Sequence, residues 1–475
     1  MFLRHINKQW CDNFNIFRKL KRNALRGTYI YRTKFCRRNV LNLHERGMFE
    51  SIFPENSTNE IVQLLNRKPQ HVYAGFDPTA SSLHVGNLLI LMNLLHWQRA
   101  GHNVIALIGC ATAQIGDPSG HNKDREEQDG GVVRERARHI QKNIENIFNN
   151  HEKYFWSKNP DPSPLPPIKV VDNEEWYKDV KVIDFLSKVG RNFRMGTMLL
   201  KDSVNKRIKS EGGMNFAEFT YQIFQANDWL HLFKTYDCKF QIGGKDQMGN
   251  IVAGHNLISR VVDQPVYGLT LPLVTNDAGD KFGKSLPNAV WLDKNLTSAF
   301  DFYQFFVRTE DSKVEHLLKL FTFLPLDQIA HIMEKQLKNP EQRIAQTKLA
   351  EEITVLVHGE GGLKAAQTAS SILYAKDLET IGSIPAEHLI NLEGVTIVEL
   401  PWKAGYSVLE FAMDIPCFLS KSDARRIMDA GGFYINMQKV KNIDEVLSQS
   451  VHVLPNNITL ARVGKKNYWI VKWTS

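Results

Sequence analysis

The chain has 475 residues, of which 43% are hydrophobic, and a formal net charge of +8 at pH 7. This length allows two or three domains with separate cores, at roughly 100 to 200 residues each. No apolar run approaches the ~18 residues of a membrane-spanning helix, which argues against a membrane protein. The five cysteines lie far apart without a Cys-x-x-Cys pair, which argues against structural zinc and against a disulfide framework.

The positive charge is concentrated at the N-terminus. Residues 1–38 hold eleven Lys and Arg against one acid, Asp12, which leaves 48 basic and 50 acidic residues in the remainder. An Arg-rich, acid-poor segment with interspersed apolar residues is typical of a mitochondrial transit peptide. A basic arm that binds nucleic acid is the alternative. We favour the transit peptide, and with it a location in the mitochondrial matrix.

The first motif joins a strand to a helix. An apolar run over 71–76 predicts a buried strand, a polar loop follows at Asp77, and the apolar pattern over 88–95 predicts a helix. The strand therefore delivers a polar loop to a helix N-terminus, where backbone N–H groups and the helix dipole favour a phosphate. Gly86 would let a ligand approach the backbone there.

The stretch from Tyr73 to Asn87 resembles the ATP-binding signature of class I aminoacyl-tRNA synthetases, in the form found in the tyrosyl-tRNA synthetase family. The family commonly has a second His where this chain has Asn87, and Asn keeps a hydrogen-bond donor. The ATP-binding residues that the resemblance implies in this stretch are Asp77, Thr79, His84, Gly86 and Asn87.

A second signature of the class follows downstream as Lys281-Phe-Gly-Lys-Ser285, on a loop with glycines at 279 and 283. By resemblance, Lys281 and Lys284 reach the β- and γ-phosphates of ATP. Together with His84 and Asn87 they form the predicted catalytic set, which stabilises phosphate charge without a protein nucleophile.

The run Asn103 to Gly109 predicts a second parallel strand, so that strand, helix and strand form a βαβ unit. Ligands on such sheets lie beyond the carboxyl ends of the strands, so the next loop should face the same crevice. That loop contains Asp117, which by resemblance binds the α-ammonium group of the substrate. Bacterial members have Lys where this chain has His121, whereas Arg125 is retained.

A polar stripe marks the predicted helix over 215–229. Tyr221, Gln225 and Asp228 are spaced by four and three residues and therefore share one face. Such a stripe among aromatic residues indicates a pocket wall, although a buried helix with satisfied polar groups is the alternative. By resemblance, Tyr221 and Gln225 hold the α-amino group, and Asp228 with Tyr73 bonds the substrate phenol, which rejects phenylalanine without editing.

A strand and a Gly-Gly turn are predicted within 238–250. By resemblance, Gln241 completes the tyrosine pocket, and Asp246 and Gln247 reach the ribose of ATP and the aminoacyl group. Gly243 in the turn would let the nucleotide pass close to the backbone. The chain departs from the bacterial pattern at Lys245 and Met248, which replace Ser and Trp.

The C-terminal part resembles the small RNA-binding domain named for ribosomal protein S4. Residues 419–475 carry nine Lys and Arg against four acids, a surplus that can neutralise phosphates. The implied tRNA-binding residues on a predicted helix are Lys421, Arg425 and Arg426.

The predicted fold is an α/β catalytic domain with a Rossmann-like, doubly wound parallel sheet, then an α-helical domain and a small α+β S4-like domain. The expected boundaries are 1–38 for the transit peptide, 39–309 for the catalytic domain with a connective insertion at about 130–235, 310–400 for an anticodon-binding helical domain, and 405–475 for the S4-like domain.

The resemblance implies ATP-dependent attachment of L-tyrosine to tRNA(Tyr) through tyrosyl-adenylate in mitochondrial translation. It also implies Mg²⁺ with ATP, a homodimer formed through about 130–235, and neither a membrane partner nor a tightly bound metal or organic cofactor. One alternative is an RNA-binding or intron-splicing cofactor on a synthetase scaffold. The other is the tryptophanyl sister enzyme, which lacks the paired Tyr73 and Asp228.

Overall fold

The structure is a computed structural model that describes residues 38–119, 126–160, 162–210, 212–274, 289–373, 378–383, 386, 396–464 and 467–474. His121, Arg125 and the whole second signature with Lys281 and Lys284 lie outside these ranges, as does the transit peptide apart from Arg38. Within the described ranges, we find no helix of sufficient length and apolar character to span a bilayer.

A six-stranded sheet with the order β1-β6-β5-β2-β3-β4 forms the centre of the N-terminal part. Strands β2 to β6 pair in parallel, whereas β1 is antiparallel to β6. The strands are β1 Ser51–Phe53, β2 His71–Phe76, β3 Asn103–Ile108, β4 Lys169–Asp172, β5 Cys238–Gly244 and β6 Tyr267–Leu271. The chain order changes direction between β2 and β5, so the sheet is doubly wound and its ligand crevice is expected at their carboxyl ends.

Helices cover this sheet and continue beyond it. Those of the N-terminal part are α1 Thr58–Arg67, α2 Val85–Arg99, α3 Cys110–Ile115, α4 Gly130–His151, α5 Glu174–Tyr177, α6 Val182–Asp184, α7 Met195–Leu199, α8 Asp202–Ile208, α9 Phe216–Tyr236 and α10 Met248–Val262. A mainly helical part follows with α11 Ala299–Val307, α12 Asp311–Phe321, α13 Leu326–Lys338, α14 Ile344–Leu373 and α15 Leu378–Ser383.

The helical part packs directly against the sheet domain. One continuous hydrophobic core extends from Val40 through α2 and the sheet to Ala366 in α14. Helix α14 is interrupted at Gly359, whose φ of 72° and ψ of 177° are not helical. The side-chain amide of Asn150 in α4 donates to the carbonyls of Leu356 and Val357, at 3.1 and 3.3 Å, just before this break.

The first described residues are anchored to both parts. The ring of His102 donates from Nε2 to the carbonyl of Arg38 at 2.8 Å, while its Nδ1 accepts from the backbone of Gln70. Val40 lies in the core. The guanidinium of Arg46 donates to backbone carbonyls at the end of α12 and just beyond it, at 2.6 to 3.4 Å. These interactions supply partners for the last carbonyls of a helix, which otherwise lack them.

A second sheet forms the C-terminal part, with the order β7-β11-β10-β8-β9. Its strands are β7 Thr396–Pro401, β8 Phe433–Ile435, β9 Gln438–Lys439, β10 Ile458–Val463 and β11 Asn467–Thr474, and its helices are α16 Val408–Asp414, α17 Lys421–Asp429 and α18 Gln449–His452. Helices α16 and α17 contribute to a core with one face of the sheet. Leu460 and Ile470 pack with Ile372 of α14. The S4-like assignment and the domain boundaries stay predictions.

Candidate active site

A cavity of about 480 Å³ lies at the carboxyl ends of the parallel strands. It brings together every described residue that the sequence analysis assigned to catalysis, to tyrosine or to ATP. These residues are Tyr73, Asp77, Thr79, His84, Gly86, Asn87, Asp117, Tyr221, Gln225, Asp228, Gln241, Gly243, Asp246 and Gln247. The three predicted tRNA-binding residues lie elsewhere, exposed on α17.

Helix α9 supplies one wall of the cavity. Its first turn is capped by Asn215, whose side chain accepts from the backbone N–H of Glu218 at 2.9 Å, and it ends at Asp237 in a left-handed conformation. Between these ends the predicted polar stripe lines the cavity, while Trp229 on another face is buried in the core. The stripe is therefore a pocket wall, as its sequence pattern indicated.

The carboxylate of Asp228 is the most fully bonded group of this wall. Its Oδ1 accepts from Trp176 Nε1 at 3.0 Å and from the Tyr177 hydroxyl at 2.8 Å, and its Oδ2 accepts from Asn173 Nδ2 at 3.0 Å. Burial raises the pKa of Asp228 to about 6, and the three donors oppose that rise. At neutral pH this group is therefore mainly an ionised acceptor.

Three buried polar atoms of the same cavity have no hydrogen-bond partner among the described residues. They are the hydroxyl of Tyr73, Oε1 of Gln225 and Oε1 of Gln241. Tyr73 is only 1% exposed. Buried polar atoms without partners are rare because each costs about 1 to 3 kcal/mol. Their presence in one cavity indicates a ligand that brings its own hydrogen-bonding groups.

The carboxyl groups of Asp77 and Asp117 also line the cavity, and we call this pair the anionic floor. Asp77 accepts from the hydroxyls of Thr112 and Tyr221, at 2.7 and 2.8 Å. Asp117 accepts from the side chain of Gln247 at 2.7 Å and from a backbone N–H. Burial raises the pKa of Asp77 to about 7 and also raises the pKa of Asp117. A bound cation would lower both values, so this floor favours an ammonium group.

The N-terminus of α2 forms another part of the cavity lining. His84 caps the helix, because its Nδ1 accepts from the N–H of Gly86 at 3.0 Å while Asn87 Oδ1 accepts from the N–H of His84 at 3.1 Å. In the neutral ring the proton then lies on Nε2, which can donate to an anion. The same geometry uses the oxygen of Asn87 for the cap and leaves its amide nitrogen as a donor. Asn thus preserves the donor that the sequence analysis expected at this position.

Glycines set how closely the walls approach each other. A Cβ atom on Gly109 would lie 1.9 Å from Asp77 Oδ1 and 2.3 Å from Thr112 Oγ1. A Cβ atom on Gly75 would meet nothing within 4 Å, although Gly75 also lines the cavity. Gly109 is therefore required for the packing of Asp77, whereas Gly75 keeps space open for a ligand.

Sequence reasoning missed several residues around Asp228 and Asp77. Asn173, Trp176 and Tyr177 were not assigned to the site, nor was Thr112. Asn173 directly follows β4, so the rule that ligands bind at the carboxyl ends of parallel strands would have found it. Tyr177 lies on a four-residue helix, which is too short for any periodic pattern.

Comparison with known proteins gives consistent relatives. The family described as tRNA synthetases class I (W and Y) matches residues 65–375. The mitochondrial tyrosine–tRNA ligase of Drosophila melanogaster is 51% identical over 442 residues, which is 93% of this chain and 95% of that protein. The mitochondrial tyrosine–tRNA ligase of Homo sapiens is 44% identical over 434 residues, 90% of each chain.

Two solved structures that resemble this chain are also those of mitochondrial tyrosyl-tRNA synthetases. The structure of a C-terminally truncated Aspergillus nidulans mitochondrial tyrosyl-tRNA synthetase superposes with a TM-score of 0.64 at 35% identity, and covers 70% of this chain and 94% of that one. The structure of a truncated Coccidioides posadasii mitochondrial tyrosyl-tRNA synthetase gives a TM-score of 0.63 at 32% identity, with 77% and 100% coverage.

Proposed function

Because this chain belongs to the class I tRNA synthetases, in their mitochondrial tyrosyl type, we infer that it attaches L-tyrosine to tRNA(Tyr) with ATP as the second substrate. One observation of the structure carries this inference furthest. The unpartnered hydroxyl of Tyr73 lines the same cavity as the ionised Asp228, which together offer a donor and an acceptor to a phenol. The names of the relatives favour this activity over the tryptophanyl alternative and over a purely RNA-binding role.

We propose that the tyrosine substrate lies between these two groups and the anionic floor. The phenol would bond Tyr73 and Asp228, and the ammonium group would face Asp117, Tyr221 and Gln225. Phenylalanine would leave the buried groups without partners, and a site built to bond a hydroxyl rejects its absence strongly. Asp77 was predicted among the ATP-binding residues, but its contact with Tyr221 supports a role beside the ammonium group as well.

In the first step a carboxylate oxygen of tyrosine forms a bond to the α-phosphorus of ATP. The bond to the bridging oxygen breaks, and pyrophosphate leaves with the electron pair. No protein nucleophile is needed, so positioning and charge stabilisation account for catalysis. We propose that His84 Nε2 and the amide of Asn87 donate to the phosphates, with Lys281 and Lys284 assigned from the sequence alone.

The ribose and the aminoacyl group are assigned to the turn after β5. Asp246 and Gln247 line the cavity there, and Gln247 is already oriented by its hydrogen bond to Asp117. We propose that these side chains, with Gly243, hold the nucleoside of ATP. In the second step a hydroxyl oxygen of the terminal ribose of the tRNA forms an ester bond to the tyrosyl carbonyl carbon, the bond to the phosphate oxygen breaks, AMP leaves with the electron pair and the hydroxyl proton is released.

Magnesium is proposed as a companion of ATP. Mg²⁺ prefers oxygen ligands and is commonly bound through substrate phosphates. Among the described residues one group of three metal-capable side chains occurs, Cys110, Asp172 and Glu174, and none of them lines the cavity. The side chains assigned to the phosphates, those of His84, Asn87, Lys281 and Lys284, offer nitrogen donors. We therefore propose that the ion enters on the phosphates and that no protein cage holds it.

The activity is tested by ATP–pyrophosphate exchange with the full chain and a panel of amino acids. We expect exchange with tyrosine and very little with phenylalanine or tryptophan. Exchange that depends on tryptophan would establish the sister activity instead. Absence of exchange, with tight binding of RNA, would establish the RNA-binding alternative.

The protein acts in mitochondria, as its relatives do by name, and we propose the matrix as the compartment. The Arg-rich composition of residues 1–38 supports this, since the import potential acts on positive charge. Import of the full chain into isolated mitochondria should give a form protected from external protease even after the outer membrane is opened. A form that becomes accessible at that point would place the protein in the intermembrane space.

We propose that α17 contacts the tRNA. Lys421, Arg425 and Arg426 are exposed on this helix, and Arg426 forms only an exposed ion pair with Asp423, which contributes little energy. Replacing Arg425 and Arg426 together with Ala should raise the KM for tRNA and leave tyrosine-dependent exchange unchanged. The slope of log affinity against log salt should flatten by roughly one unit per lost phosphate contact.

A matched control removes the same charge from the catalytic domain. Arg67 and Lys234 are both exposed there, and their double Ala variant should keep the original salt slope. Loss of exchange in the Arg425 and Arg426 variant, with its fold intact, would show that the C-terminal domain belongs to the catalytic unit. An unchanged KM would remove α17 from the tRNA-binding surface.

We propose a homodimer formed through the apolar face at residues 180–216. Nine of the seventeen exposed large hydrophobic side chains in the described chain lie there, among them Ile183 at 77% exposure and Leu200 at 78%. Residues from the same segments, among them Met198 and Val204, pack with Phe219 in a small buried cluster. Exposed apolar patches mark interaction sites, and a two-fold axis lets one patch cover its own copy.

The dimer is tested by sedimentation of the full chain and of the Ile183→Asp variant. We expect a dimeric mass for the unchanged chain and a monomeric mass for the variant, because a charge on each side of the interface would be buried without a partner. Leu337→Asp is the matched control, since Leu337 is 75% exposed on α13, outside this face. A dimeric Ile183→Asp protein would exclude this face as the interface.

A further inference from the structure

Tyr177 at the end of α5 contacts the carboxylate that the proposed function assigns to the substrate phenol. Its hydroxyl lies 2.8 Å from Asp228 Oδ1 and 3.1 Å from the carbonyl of Phe224, and it accepts from Asn227 Nδ2 at 3.2 Å. A hydroxyl has one proton to donate. The carboxylate is the shorter and the charged acceptor, so the proton is directed to Asp228.

Packing holds the ring of Tyr177 independently of this hydrogen bond. The ring lies 5.3 Å from that of Phe224 and 6.1 Å from that of Phe185, between centroids, and those two phenylalanines stack on each other at 4.8 Å. Removal of the hydroxyl alone should therefore leave the ring in place. This separates the electrostatic effect of Tyr177 from its packing.

The two oxygens of Asp228 differ in how many further hydrogen bonds they can accept. Each carboxylate oxygen accepts about two hydrogen bonds. Oδ1 already accepts two, from Trp176 and Tyr177, whereas Oδ2 accepts one, from Asn173. Saturation of Oδ1 leaves Oδ2 as the acceptor for a substrate hydroxyl.

We propose that Tyr177 is a specificity-determining positioning residue, which saturates Asp228 Oδ1 and thereby holds this carboxylate ionised and oriented for the phenol of the substrate. The proposal rests on the proposed function, because it deepens the role given there to Asp228. Tyr177 acts through Asp228 and is not placed in contact with the substrate.

The groups around Asp228 show why this carboxylate needs hydrogen-bond donors to stay ionised. The titratable groups that face it or its donors from neighbouring elements of the described chain are Tyr73 on β2, Asp77 after β2, Asp172 on β4, Tyr221 on the same helix and His231, which stacks on Trp176. Burial raises the pKa of Asp228, and the charge of Asp172 raises it further, while the hydrogen bonds from Asn173, Tyr177 and Trp176 lower it. The neutral donors therefore keep Asp228 ionised near neutral pH.

Tyr177→Phe tests the proposal by exchange kinetics with tyrosine and phenylalanine across pH. Loss of one hydrogen bond to a charged group should lower the ratio of the two kcat/KM values about tenfold. The loss of a donor to the ionised form raises the pKa of Asp228. The acid limb of kcat/KM for tyrosine should therefore move about one pH unit upward, so that the deficit is larger at low pH than at high pH.

Two further variants complete the test. Tyr236→Phe removes a hydroxyl from the far end of α9 and should change neither the ratio nor the pH limb. Asn227→Ala keeps the hydroxyl of Tyr177 and removes the donor that orients it, so it should give a smaller shift in the same direction. It also keeps the proposal testable if Tyr177→Phe folds poorly.

The outcomes separate this proposal from the proposed function. If the unchanged protein shows no tyrosine-dependent exchange, the proposed function is wrong. If the unchanged protein is active and Tyr177→Phe lowers kcat/KM for both amino acids equally at every pH, Tyr177 has only a structural role and the present proposal fails. A selective loss that recovers at high pH supports it.

Discussion

The Asp228→Asn variant is expected to lose between about 30-fold and 1,000-fold of kcat/KM for tyrosine, or about 2 to 4 kcal/mol. An amide presents an NH₂ group to one set of the donors that now converge on the carboxylate. In the position of Oδ1 this NH₂ group would face the donors of Trp176 and Tyr177. In the position of Oδ2 it would face the donor of Asn173. Either orientation leaves buried donors unpaired and removes the charged acceptor of the phenol.

Exchange kinetics with tyrosine and phenylalanine measure this effect. The kcat/KM for tyrosine should fall much more than that for phenylalanine, because phenylalanine has no hydroxyl to bond. Asp263→Asn is the matched control, since Asp263 is exposed at the end of α10 and Asn also adopts its left-handed conformation. Equal losses for both amino acids in Asp228→Asn would show that the specificity site lies elsewhere.

Gly109→Ala is expected to disable the site and to destabilise the fold. The backbone of Gly109, with φ of −93° and ψ of 61°, is not in the left-handed region, so the conflict is steric. The added methyl group would overlap the carboxylate of Asp77 and force it away from Thr112 and Tyr221. Overpacking of this kind costs about 1 to 3 kcal/mol. The thermal unfolding midpoint and the exchange rate should both fall.

Gly75→Ala provides the contrast. Nothing lies within 4 Å of its added Cβ atom, so the unfolding midpoint should stay unchanged. The methyl group would project into the cavity and raise the KM for a substrate. If Gly109→Ala were as stable and as active as the unchanged protein, the carboxylate of Asp77 would have to be free to move, and the anionic floor described above would not be rigid.

The sequence predicted those parts of the site that a pattern encodes. The spacing of Tyr221, Gln225 and Asp228 placed three side chains on one helical face, and two apolar strands placed Asp77 and Asp117 at one sheet edge. Periodicity predicted the βαβ unit and the helical segments that follow the sheet, whereas the doubly wound sheet and the small mixed domain were implied by the resemblance. The individual roles of these residues came from resemblance and stay proposals.

The remaining contacts could not be predicted, because no local pattern encodes them. Tyr177 and Asn173 reach Asp228 from 51 and 55 residues away in the chain. The need for glycine at 109 comes mainly from the side chain of Asp77, which follows the neighbouring strand β2. The continuation of α14 beyond Gly359 is not encoded locally either, because Glu360, Gly361 and Gly362 follow and glycine is a poor helix former.

The anchoring of the first described residues limits where the chain can be shortened. Arg38 is bound through its carbonyl by His102, Val40 lies in the core, and Arg46 supplies donors to carbonyls at the end of α12 and beyond. Removal of the chain up to and including Arg46 would leave those carbonyls buried without donors. It would also open a gap in the core where Val40 packs. We therefore expect any maturation protease to cut before Val40, and a shortened chain for crystallography should begin no later than Arg38.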